Sequence, residues 1–73
     1  ELTVRELEIL ELVASGSRNA EVAAKLHLAT KTIEHAMAKI VAKLEARNRT
    51  HAVAIAIETG LVSVGGDPPA GAQ

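Results

Sequence analysis

The sequence predicts an all-α fold, a bundle of four short helices, on three observations. Apolar residues recur at the 3.6-residue period of a helix, residues with helix-capping chemistry stand before those stripes, and glycines follow two of them. The chain has 73 residues and no cysteine. That length leaves room for a single domain and suggests a module of a longer protein, and the lack of thiols excludes disulfides and thiolate zinc sites.

The first helix is predicted over residues 4–15. Thr3 and Glu6 have the spacing of a capping box, Leu2 and Leu7 that of a hydrophobic staple, and Leu7, Leu10, Val13 and Ala14 continue the stripe to Gly16. The second, over residues 20–26, is capped by Asn19 and turns Val22, Ala23 and Leu26 inward, with Glu21 in its first turn. His27, Leu28 and Ala29 form the break. The third, over residues 30–45, has the longest stripe, Ile33, Met37, Ile40 and Leu44. Its opposite side carries Lys31, Glu34, His35, Ala38 and Ala42, flanked by Lys39 and Lys43.

The fourth segment, residues 49–58 behind Asn48 or Thr50, fits two templates. Val53, Ile55 and Ile57 alternate as in a strand, but the alanines between them favour a helix and Gly60 suits its C-terminal end. Helix is the reading adopted. Residues 63–73, rich in Gly, Pro and Ala, are expected to form a disordered tail behind a domain of residues 1–62.

Two helices joined by a break of about three residues, the second longer and presenting a polar face, form the helix-turn-helix arrangement. Periodicity alone fits a ligand-free bundle as well. Charge is informative here. Net charge is −1, yet residues 18–49 hold seven bases against three acids, while the flanking stretches are net acidic. A basic centre with acidic flanks would orient the molecule in a phosphate field. The absence of Phe, Tyr and Trp disfavours single-strand readers, which stack bases on aromatic rings. The longest aliphatic run, residues 52–57, is too short to span a bilayer, so no membrane partner and a cytoplasmic location are expected. His27, His35 and His51 lack metal-site spacing, and no nucleophile with a base is visible, so no catalytic residue, metal, cofactor or small-molecule ligand is expected.

Leu2-Thr3-Val4-Arg5-Glu6, Val13-Ala14-Ser15-Gly16, Asn19-Ala20-Glu21-Val22-Ala23, Thr32-Ile33, Lys43-Leu44, Asn48-Arg49 and Gly60-Leu61-Val62 stand in one register. Together they resemble the LuxR-type, or GerE-like, DNA-binding domain of bacterial transcription regulators. The resemblance implies a helix-turn-helix made by the second and third helices, a first helix that braces it, and a fourth that forms a homodimer contact on double-stranded DNA. It also implies an N-terminal sensory domain upstream. Ala52 and Ala56, on one helical face, would let two fourth helices approach, or else pack inside the monomer.

Candidate DNA-binding residues are Asn19, Thr30, Lys31, Thr32, Glu34, His35, Ala38, Lys39, Lys43 and Arg49. Asn19 and Thr30 mark helix N-termini, where free amides attract phosphates. Arg49 has a second candidate role, pairing with Glu6. Four positions depart from the family: Glu34 replaces a common base, Ala36 a usual His, Ala29 a capping Ser or Thr, and Glu45 a common Gly. Glu34, Ala36 and Ala38, with Ala29 in place of the capping residue, leave an alternative, a protein-interaction module of the same fold with weak or lost DNA binding.

Overall fold

A computed structural model describes residues 1–62; the tail expected over residues 63–73 lies outside them. It contains four helices, α1 (Val4–Ala14), α2 (Asn19–Leu26), α3 (Thr30–Lys43) and α4 (Arg49–Glu58). Helices α1 and α3 each pack on the three others, with α2 lying against α3 and α1.

The caps explain where each helix begins. At α1 the predicted box forms: Glu6 N–H donates to Thr3 Oγ1 at 3.0 Å and Thr3 N–H to Glu6 Oε1 at 2.9 Å. At α2 the expected cap is displaced by one residue. Arg18 is the N-cap, Asn19 is the first helical residue, and the Glu21 carboxylate accepts from Arg18 N–H at 2.7 Å. A guanidinium has no acceptor, so only that half of the box is made. Asn48, not Thr50, caps α4 by accepting from His51 N–H at 2.8 Å.

All four helices end alike, with a left-handed residue that lets the chain reach back to the helix carbonyls. After α1, Gly16 (φ 103°) lets Ser17 N–H donate to Leu12 O. After α2 and α3 the residue is His27 (φ 60°) and Glu45 (φ 55°), with Leu28 N–H donating to Ala23 O and Ala46 N–H to Val41 O. A side chain with Cβ costs about 1–2 kcal/mol in that conformation. Glu45 accepts it, and so α3 ends at Lys43, two residues before the predicted boundary.

The core is aliphatic. Ile9 and Leu10 of α1, Val22 of α2 and Ile33 and Ile40 of α3 are its largest fully buried side chains, joined by Met37, Ala56 and Val62. In α4 the helical template wins over the strand. Alternation would put Val53, Ile55 and Ile57 on one face; instead Val53 and Ile55 are half-buried and Ile57 is exposed. Ala52 and Ala56, four residues apart, are sealed at 0% exposure.

Candidate nucleic-acid interface

The site is built on the junction of α2 and α3. Leu28 in the turn packs against the core, which fixes the direction in which α3 leaves. Ala29 is the N-cap of α3 and offers no side-chain acceptor; Thr30 follows as the first helical residue. Thr32 and Ile33 amides donate to Ala29 O. Among the described residues no oxygen accepts from the amides of Thr30 and Lys31, so two donors at the positive end of the helix point outward.

Burial of Ile33, Met37 and Ile40 turns the other side of α3 to solvent. Lys31, Thr32, Glu34, His35, Ala38 and Lys39 are all exposed on that side. Among the described residues none of the four titratable ones makes a side-chain hydrogen bond or ion pair. The outer arc divides by charge. At about 100° per residue, Thr32, His35 and Lys39 form one flank and Glu34 lies about 140° from Lys39 on the other.

Three candidates are engaged inside the fold instead. Lys43 Nζ donates to Glu6 Oε1 at 2.8 Å, linking the last turn of α3 to the first turn of α1. Lys43, one strong donor to a buried carboxylate, thereby replaces Arg49 as the partner of Glu6. Arg49 Nη1 donates to Asn19 Oδ1 at 2.6 Å and ties the N-terminal ends of α4 and α2. Asn19 is therefore a structural acceptor, neither a cap nor a free anion contact.

Glu6 is 8% exposed. Its hydrogen bond from Lys43, then that from the Thr3 amide, hold its carboxyl below the ordinary value, outweighing the burial that pushes it up. The ionised acid is thus favoured in the folded state.

Ala52 and Ala56 cannot serve as the dimer contact assigned to them. Both are at 0% exposure inside the monomer, so a second chain could reach neither without opening the core. The outward apolar side chains of α4 and its end are Ala54, Ile57 and Leu61, the last two each 39% exposed.

A groove of about 460 Å3 runs beside the cationic flank of α3. Thr3, Arg5, Glu6, Ile9, Leu28, Thr32, His35, Ala36 and Lys39 line it. Arg5 entered the sequence reading only as part of a family motif. Its place beside α3 has no local signal, because Arg5 and Lys39 are brought together by packing. Among the described residues no helix is long and apolar enough to cross a membrane, and no cluster of three or more His, Cys, Asp or Glu is placed to hold a metal ion.

Comparison with known proteins gives the geometry a context. The family model described as bacterial regulatory proteins, luxR family, matches residues 1–56. The response regulator protein VraR of Staphylococcus aureus (strain Mu3) is 43% identical over 61 residues, which is 84% of this chain and 29% of that protein. VraR of Staphylococcus epidermidis matches with the same identity and coverage. The chain thus spans less than a third of the curated relatives it matches. A solved structure described as VqmA bound to DPO superposes with a TM-score of 0.80 at 29% identity, covering 90% of this chain and 32% of that one.

Proposed function

The chain belongs to the luxR family of bacterial regulatory proteins, and from that premise we propose that it binds double-stranded DNA sequence-specifically as the output domain of a transcription regulator, with α3 in the major groove. The observation that carries this reading is the outer arc of α3: exposed, and bearing charged side chains without partners among the described residues, while Lys43 and Arg49 are engaged within the fold.

The roles follow from chemistry. The open amides of Thr30 and Lys31, with the Lys31 and Lys39 ammonium groups, meet phosphates. Glu34, His35 and Ala38 face base edges. A carboxylate there accepts from a cytosine amino group, a histidine N–H donates to guanine, and an alanine methyl packs on a thymine methyl. Asn19, Lys43 and Arg49 keep their intrachain partners and position the helices. Two chains assemble through the outer side of α4, with Ala54, Ile57 and Leu61 in contact, and a two-fold dimer reads a palindromic site.

Fluorescence anisotropy with duplex and single-stranded DNA at two salt concentrations tests the reading. Tight binding to the duplex alone is expected, with sedimentation giving two chains per duplex. Glu34→Lys should strengthen binding to random duplex and steepen its salt dependence by about one phosphate contact per bound chain. Equal affinity and slope in the variant would show that this face does not meet DNA.

A further inference from the structure

We propose that the groove between the N-terminal turn of α1 and the Thr32/His35/Lys39 flank of α3 seats a phosphate of one DNA strand, held between Arg5 and Lys39. The proposal rests on the DNA-binding reading above and extends the interface to a helix outside the helix-turn-helix.

Four observations carry it. First, Arg5 from α1 and Thr32, His35 and Lys39 from α3 line one opening. An α-helix with side chains, about 10–12 Å across, fills a major groove about 12 Å wide, so each flank of a docked helix faces one phosphate strand. A cation beside the flank is then within that strand's reach.

Second, the acid within the groove is already neutralised. Glu6 accepts from Lys43 at 2.8 Å and is almost wholly buried, so it does not repel an incoming anion. Lys43, which looks like a phosphate ligand, contributes by silencing Glu6.

Third, Arg5 is available. Its guanidinium touches Glu8 at 3.5 Å across an exposed one-turn pair, with side chains 53% and 51% exposed. Such pairs are worth about 0.3–0.5 kcal/mol, and a guanidinium presents a bidentate fork that suits a phosphate better. Fourth, the acid that would spoil the site, Glu34, lies on the opposite flank of α3. The charge asymmetry of the outer arc therefore selects which side of the helix faces the nearer strand.

The test is a salt titration of the full chain on two unrelated fluorescent duplexes. Arg5→Gln and Lys39→Gln should each weaken binding about eightfold per bound chain at 0.1 M salt and flatten the slope of log K against log salt by about 0.9 per bound chain, equally on both duplexes. Arg5→Lys should restore the slope, separating charge from helix structure. Arg5 and Lys39 are exposed and only the one-turn pair of Arg5 with Glu8 is lost, so far-UV dichroism should be unchanged and stability should stay within about 0.5 kcal/mol in every variant. Wild-type affinity and slope in Arg5→Gln, alongside a loss in Lys39→Gln, would overturn the phosphate seat and leave the binding of α3 intact. A loss confined to one of the two duplexes would also overturn it, since phosphate contacts carry no base information. Failure of the wild-type chain to bind any duplex would overturn both readings together.

Discussion

Lys39 and Lys43 lie one turn apart on α3, on nearly the same side, and have opposite fates. Lys43 meets the Glu6 carboxylate at 2.8 Å; Lys39 stands exposed at the rim of a groove. The two side chains are chemically identical, so the difference comes from the opposite wall. At Lys43 that wall is Glu6 of the α1 capping box, whose carboxylate already accepts from the Thr3 amide. At Lys39 the nearest groove cation is Arg5. A like charge leaves Lys39 unpartnered and concentrates positive potential, whereas an acid consumes the charge of Lys43. One turn of one helix thus separates an ammonium group bonded within the fold from one left open to solvent.

The contrast can be broken most severely from the inside. Ile40 is fully buried and lies between the two lysines in sequence. Ile40→Ala should cost about 2–5 kcal/mol in thermal or urea unfolding, while Lys39→Gln, on the outer arc, should stay within about 0.5 kcal/mol of wild type. Comparable losses at the two positions would abolish the distinction between inner and outer faces.

A smaller effect is expected from the polar link itself. Glu6→Gln removes the ionised acceptor of Lys43 and should destabilise the fold by about 1–3 kcal/mol at neutral pH. Because the folded carboxyl titrates below its ordinary value, its contribution is complete above the ordinary carboxylate range and is lost as pH falls through the folded value. Stability of the wild type should therefore converge with that of Glu6→Gln on acidification. A constant difference down to low pH would remove the charge from the explanation.

The smallest change sharpens the comparison without touching either lysine. Glu45 holds a left-handed backbone at the end of α3, and Glu45→Gly should raise stability by about 1 kcal/mol by removing that strain. A fall in Tm would mean that the Glu45 side chain contributes more than its backbone costs.

Much of this architecture could be read from local pattern. The capping box at Thr3 and Glu6, the αL turn at Gly16 and the stripe of Ile33, Met37 and Ile40 are interactions within one or two helical turns, and local chemistry suffices for them. The misreadings also have a common cause. Asn19 resembles a cap by residue type, but Arg49, thirty positions away, takes its carbonyl. Arg49 suits Glu6 by charge, but Lys43 is the residue that reaches it. Ala52 and Ala56 share a helical face, and helical spacing does not say whether that face meets the core or a second chain.

What the residues alone determined, then, is the helical content, the helix boundaries to within two residues and the solvent-facing arc of α3, set by periodicity and by contacts between near neighbours, with the family legible only as a resemblance of motif residues in one register. Only packing decided which cations remain free, which alanines are sealed, and that Arg5 shares a groove with Lys39. Those outcomes depend on pairs distant in sequence, such as Glu6 and Lys43, whose meeting depends on how α1 and α3 dock, and no pattern along either helix encodes the identity of the other wall.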